Sequence, residues 1–479
     1  MSLAAFRQSL TSPAVVADLR DGLIGENAII PSPFGDQRLV YADYTASGRA
    51  LRQVEVFIAE NVLPYYANSH TEASYCGAHM TRLRAEARQT ISAATNAGPG
   101  YSVIFTGSGA TAGINKLVTL FGLSETDAAS NDEKPLVLIG PYEHHSNILP
   151  WRESGAEVIA VPEGPDGGPD LRLLEIILKN TRDRPFVVGS FSAASNVTGV
   201  LTDVTAVTGL MQRYGARIIW DYAGGGPYLP IDLKPAPDTE IDAVVISPHK
   251  FPGGPGASGV LIVRNDAVQA TKPTSPGGGT VSFVSPWGHD YSKSLVAREE
   301  SGTPNVIGDI RAALVFLVKD AAGQAFISER EAEFARRAFA AWNDHPNIRL
   351  LAAEKTERLP IFSMQITDRA GDVIHPQLVT RMLSDVYGIQ ARGGCACAGP
   401  YAHRLLEIPE HQSERLRAAI RAGAEIEKPG WTRLNFSYLM SDATADFILK
   451  SVSELATRVG ELRKLYEADA STARFRLAS

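Results

Sequence analysis

Five short segments carry side chains with chemistry to offer. FTGSGATAGINKL (105–117) runs an apolar strand into a glycine-rich turn and then a helix, which leaves backbone N–H groups at a helix N-terminus where a phosphate is favoured. The same residues satisfy the dinucleotide pattern Gly107-x-Gly109-x-x-Ala112. The next strand, however, ends in Ile139-Gly140-Pro141 and lacks the acid that would hold a ribose, so a phosphate cradle is the better reading. ARIIWDYAGGG (216–226) sets Asp221 at the carboxyl end of an apolar strand, where open α/β sheets bind ligands. DAVVISPHKFPGGPG (242–256) places Lys250 after the following strand, and a partly desolvated lysine can form a Schiff base. PYEHHSNILPW (141–151) puts His144 and His145 after a strand, suited to stacking on an aromatic ligand and shuttling protons. GIQARGGCACAGPYAHRLL (388–406) holds Cys395 and Cys397 in a glycine-rich loop between Arg392 and His403, a setting that favours thiolate. Zinc held by Cys395, Cys397 and His403 is the competing use of that loop, although Cys-x-Cys alone is a weak metal signal.

In chain order these segments give a phosphate turn, a histidine, an aspartate at a strand end and a lysine one strand later. That is the set needed to hold pyridoxal phosphate. The turn binds the phosphate, Lys250 forms the imine, Asp221 keeps the pyridine nitrogen protonated, and His144 covers the ring face. No metal is expected.

The groups must be positioned by the β-branched runs that precede them, at 101–105, 135–140, 156–161, 185–191, 216–222, 242–247 and 259–263, with a helix near 110–122. Near-continuous apolar strands buried on both faces predict a mostly parallel sheet covered by helices. The expected fold is α/β, with a large doubly wound domain over 70–304 and a smaller α+β domain over 305–479. An N-terminal segment, 1–69, is expected to pack on the small domain through a helix over 49–63. The Gly/Pro/Ser-rich stretches 163–170 and 272–283 are expected as surface loops. Composition narrows the function class. The chain has 479 residues, 44% hydrophobic and 21% charged, with a formal net charge of −7. It has no dense Lys/Arg stripe for nucleic acid and no apolar run near the ~20 residues that span a bilayer. Its three cysteines, Cys76, Cys395 and Cys397, make no disulfide framework and point to a reducing cytoplasm.

The motifs and their order resemble the class V branch of fold type I pyridoxal-phosphate enzymes, and within it the cysteine desulfurase and selenocysteine lyase group. The likeness runs from YADYTASGRA (41–50) to RLNFSYLMSDATADFI (433–448). It implies a homodimer with active sites at the subunit interface. Lys250 then matches the Schiff-base lysine, Asp221 the ring-nitrogen partner, and His144 the stacking histidine. Asn196 in SAASNVTG matches the asparagine beside the cofactor's phenolic oxygen and the substrate. Ala110, Thr111, Ser247 and His249 match the phosphate cradle, and Thr280 resembles a phosphate contact from the second subunit. Arg433 and Arg392 resemble the arginines near the substrate carboxylate, and Cys397 the persulfide-forming cysteine.

The implied reaction takes sulfur or selenium from an amino acid, leaving alanine and a Cys397 persulfide for a sulfur-acceptor protein. The chain departs from the family's usual pattern in three places. Gly224 stands where a Gln or His is usual, Ala110 replaces a common Thr, and Cys395 is an additional thiol. The alternatives are a C–S lyase, epimerase or aminotransferase on another amino acid, a metal-binding Cys/His module, and a nicotinamide-dependent oxidoreductase.

Overall fold

All seven apolar runs form strands of one sheet: β1 (Tyr101–Phe105), β2 (Leu136–Ile139), β3 (Glu157–Ala160), β4 (Val187–Ser192), β5 (Arg217–Asp221), β6 (Ala243–Ile246) and β7 (Val260–Arg264). The spatial order is β1-β7-β6-β5-β4-β2-β3. Only β7 runs against the rest, antiparallel to both β1 and β6. Every residue of β2 and β6 is buried, as strands covered on both faces require. The helix Gly109–Leu120 lays Ile114 and Leu117 into the same core as Val245 and Leu261.

The computed structural model describes residues 2–69, 71–124 and 133–478, and these fall into two compact units. The first contains the large sheet and comprises 1–23, 47–193 and 202–324; the second comprises 24–46, 194–201 and 325–479. This differs in two respects from the three contiguous segments expected. The helix Val306–Ala322 belongs to the first unit, because it is apolar nearly all round and its Asp309 pairs with Arg84 of the helix Tyr75–Ala94 (2.7 Å). The segment 1–69 is shared between the units. Val40–Tyr41 pairs in parallel with Ile389–Gln390 inside the second unit, whereas Arg52–Phe57 lies in the first. The expected helix over 49–63 is also shorter, with α-helical turns over Arg52–Phe57 passing into a π-turn at Ile58–Val62.

The second unit is built on a four-stranded antiparallel sheet of β8 (Ile348–Leu350), β9 (Ile361–Ile366), β10 (Arg392–Gly394) and β11 (Trp431–Asn435), in the order β8-β9-β11-β10. Its core gathers Trp342, Phe362, Leu434, Phe436, Ile448 and Val452. In the first unit the stretch 272–283 is not all loop. It ends in a hairpin of Val281–Ser285 with Gly288–Tyr291, which leaves Phe283, Val284 and Trp287 exposed. No described helix is long and apolar enough to cross a membrane.

Candidate active site

The expected site residues fall in both units, and each group is described within its own. In the first unit the carboxyl ends of β1, β2, β5 and β6 lie on one edge of the sheet and lead into Gly109, His144, Asp221 and Lys250. Asp221 is 4% exposed and accepts a hydrogen bond from Ala223 N at 2.7 Å. Burial pushes its carboxyl above the usual carboxylate range, against the pull of the Ala223 N–H and the positive charge of Lys250. Lys250 lies on the short 3-10 turn Pro248–Lys250. Gly48 crosses that turn and donates its N–H to His249 O at 2.9 Å; a Cβ at Gly48 would come within 1.9 Å of the Phe251 carbonyl oxygen, so only glycine fits.

Ser247 Oγ accepts from Ala110 N at 3.0 Å, which leaves the hydroxyl proton to donate outward. Gly109 has φ +62°, and a Cβ there would sit 2.9 Å from Ser247 Oγ and 3.2 Å from His249 Cε1. The first turn of the helix Gly109–Leu120 receives no side-chain cap from Ser108. Burial and the neighbouring Lys250 charge bring the His249 imidazole down to about 4, so the ring is neutral at pH 7. Thr111 Oγ1 is 2.7 Å from Ser146 Oγ, and Ser146 meets His144 Nδ1 through both Oγ (3.0 Å) and N (3.1 Å). A backbone N–H only donates, so Nδ1 is bare and His144 carries its proton on Nε2. Thr280 is fully buried and its hydroxyl donates to Gly277 O at 2.7 Å, so that proton closes its own turn.

Sequence reasoning passed over Glu143. It is buried beside His144 and accepts from Ser192 N (2.9 Å), Ser192 Oγ (2.7 Å) and Asn147 Nδ2, while Asn147 Oδ1 accepts from Ser190 Oγ (2.6 Å) and Trp151 Nε1 (3.0 Å). This network ties the turn that carries His144 to β4. Burial pushes the Glu143 carboxyl up to about 7, and the Asp221 charge adds to the rise. The unfolded chain releases this proton near pH 4.5 and the folded chain near 7. The stability it contributes is therefore complete below pH 4.5 and lost as pH rises through 7. Denaturant unfolding of wild type and Glu143→Gln at pH 4.5, 6 and 8 is expected to show wild type losing on the order of 3 kcal/mol relative to the variant across that range. A pH-independent difference would refute the assignment.

In the second unit Arg433 Nη1 donates to the Asn196 carbonyl (2.9 Å) and Nη2 to Asp43 Oδ1 (3.0 Å), while Arg392 Nε donates to Asp43 Oδ2 (2.9 Å). Asn196 Nδ2 donates to Ala396 O at 2.9 Å, and the Cys397 sulfur lies close enough to Arg433 for its charge to be felt there. Asn196, Arg433, Arg392 and Cys397 thus lie together in the second unit. Asn196 Oδ1 and Arg433 Nε are buried with no hydrogen-bond partner among the described residues, a costly arrangement that a bound polar group would relieve. Asp43, which holds both arginines, was not singled out; its signal lay in the quoted YADYTASGRA stretch. His403 is engaged by Gly399 O and Ser413 Oγ, each at 2.8 Å. Among the described residues no group of three His, Cys, Asp or Glu is placed to hold a metal.

Residues 40–427 match the class V aminotransferase family. A cysteine desulfurase from Klebsiella pneumoniae subsp. pneumoniae is 29% identical over 377 residues, covering 78% of this chain and 87% of its own. Among solved structures, the cysteine desulfurase of Thermococcus onnurineus NA1 superposes with a TM-score of 0.73 at 22% identity, over 92% of this chain and 98% of its own. That of Escherichia coli gives 0.68 at 22% identity, over 96% and 99%. These likenesses establish the fold, and with most of its length matched the chain belongs to the class V aminotransferase family, a family of pyridoxal-phosphate enzymes.

Proposed function

We propose that the protein is a cysteine desulfurase, removing sulfur from cysteine, or selenium from selenocysteine, to give alanine. The observation that carries this reading is Cys397, an exposed thiol on a turn tied to Asn196 and beside the Arg433 guanidinium. The name of the Klebsiella relative points the same way.

Pyridoxal phosphate suits the first unit's donor set. A buried carboxylate with little to offset its burial matches a protonated ring nitrogen, and an uncapped helix start lined by a serine hydroxyl and a neutral imidazole matches a phosphate. When bound, the cofactor supplies an electron sink for the bonds of an amino acid's α-carbon. Lys250 Nζ would hold its aldehyde and, as a free amine, take the α-proton. Asp221 fixes the charge at the ring nitrogen. Ser247, His249 and Thr111 would hold the phosphate, with the Ala110 N–H setting the Ser247 hydroxyl, and His144, with its proton on Nε2, would cover the ring face. Thr280 would hold a phosphate of the second subunit by turning its hydroxyl proton from the Gly277 carbonyl to the phosphate.

In the second unit Arg392 and Arg433 orient the substrate carboxylate and Asn196 the atoms beside it. The Cys397 thiolate attacks the substrate sulfur, the Cβ–S bond breaks, and the proton balance closes on alanine plus a Cys397 persulfide. The enzyme is taken to be a cytoplasmic homodimer that passes sulfur to an acceptor protein. The apolar side chains of Phe283, Val284 and the 92% exposed Trp287 on one hairpin support an interface between copies.

The test is product analysis with cysteine: alanine and protein-bound sulfur in equal yield. In Cys397→Ser, sulfur transfer is expected to fall about 10²-fold, a barrier rise of ~2.7 kcal/mol. Pyruvate in place of alanine, or full turnover by the variant, would sink the proposal.

A further inference from the structure

The role of Cys395 is not explained by a reaction that needs one thiol. Cys395 and Cys397 are both free, Cys395 half-buried and Cys397 exposed. Between and around them the backbone is unusual. Ala396 and Cys397 take φ of 51° and 54°, the left-handed region, and Ala398 N donates to Cys395 O at 3.2 Å. Two left-handed residues inside a four-residue turn closed by that bond make a type I′ turn, which Asn and Gly favour and which alanine and cysteine enter only at a cost. The surroundings hold it there: the Ala396 carbonyl accepts the Asn196 side-chain amide at 2.9 Å. Strain of this kind persists where neighbouring structure over-determines it, and it gathers at functional sites.

The geometric consequence concerns the two sulfurs. Consecutive Cα atoms are 3.80 Å apart, and a left-handed residue bends the chain sharply, so in an ideal turn of this kind the first and third Cα atoms, the places of Cys395 and Cys397, stand about 5.5 Å apart. A fully extended tripeptide would hold them roughly 7 Å apart. Disulfides span about 4.4–6.8 Å, so the turn brings the pair within bonding reach where an extended loop would not.

We propose that Cys395 is a resolving thiol for sulfur carried on Cys397. This rests on the desulfurase reading for the origin of that sulfur. The Cys395 thiolate attacks Cys397 Sγ of the persulfide, the bond between Cys397 Sγ and the terminal sulfur breaks, and hydrosulfide leaves. The terminal sulfur is reduced to sulfide as the two cysteines are oxidised to a Cys395–Cys397 disulfide. A thiol reductant then restores both thiols by exchange. The protein thereby gives sulfide as a product in the absence of an acceptor protein.

The test uses the full-length holoenzyme and its Cys395→Ser and Cys395→Ala variants in two arms, read by peptide mass spectrometry without reductant. One arm receives cysteine; the other receives inorganic polysulfide, which loads Cys397 without the enzyme's own chemistry. The wild type is expected to release sulfide and show the Cys395–Cys397 disulfide in both arms. Each variant should retain at least about tenfold more Cys397 persulfide than the wild type. Wild type that keeps the persulfide and forms no such disulfide in the polysulfide arm overturns the proposal. If the disulfide forms there while cysteine yields no alanine, the desulfurase reading falls and the thiol pair stands.

Discussion

Lys250→Ala is expected to emerge from purification colourless and with turnover reduced by at least about 10⁴-fold, the upper end of what a single acid–base group supplies. The argument begins with position. Lys250 follows a strand whose four residues are all buried, on a turn whose backbone is gripped by Gly48. Its charge reaches Asp221 and His249, so its ammonium and the groups assigned to the cofactor share one neighbourhood. Nor can the other lysine close to this region take over. Lys319 is buried under the Phe251 ring, and its Nζ is spent on the carbonyls of Gly226 (2.8 Å) and Leu229. Burial brings that amine down to about 7, but its hydrogen bonds hold it on the chain segment beyond Asp221. Visible absorbance and steady-state rates decide the matter, with thermal unfolding as the check on folding. Retained colour with more than a tenth of wild-type activity would remove Lys250 from the mechanism.

The sequence was legible where the physics is local. All seven strands of the large sheet announce themselves as β-branched runs, because a strand covered on both faces has no polar side to interrupt it. Lys250 and Asp221 follow from the same logic, since the carboxyl edge of such a sheet is where side chains meet ligands. What stayed hidden is non-local. Nothing in Val40–Tyr41 reveals that it pairs with Ile389–Gln390, yet that pairing draws 24–46 into the second unit and delivers Asp43 to Arg392 and Arg433. Glu143 reads as one more polar residue in a loop, and only burial against Ser192 and Asn147 makes it a structural carboxyl. The hairpin at 281–291 was masked by the glycines that precede it, which signal a turn and say nothing of the strands that follow. The left-handed pair Ala396 and Cys397 was equally invisible, because neither residue type prefers that conformation.

Asp221→Asn separates what this residue does for the fold from what it does for the chemistry. The amide keeps an oxygen for the Ala223 N–H, so the turn after β5 is preserved. It removes a carboxylate whose pKa is raised mainly by burial, and a raised carboxyl contributes stability that is present at low pH and lost as pH climbs through its folded value. At neutral pH and without cofactor, the variant is therefore expected to be at least as stable as wild type, with the gap in its favour closing on acidification. Activity should move the other way. A neutral amide does not oppose the charge of a protonated ring nitrogen, and removing one preorganised electrostatic partner from a buried site costs on the order of 10²–10³-fold in kcat. The fall should appear in kcat more than in KM, because Asp221 is assigned to the charge of the ring nitrogen and not to the substrate carboxylate. Unfolding curves of the cofactor-free proteins across pH 4–8, set beside steady-state kinetics of the loaded ones, test both halves. A variant that is less stable at every pH, or one that keeps its kcat, would show that the Asp221 carboxylate serves the fold and not the reaction.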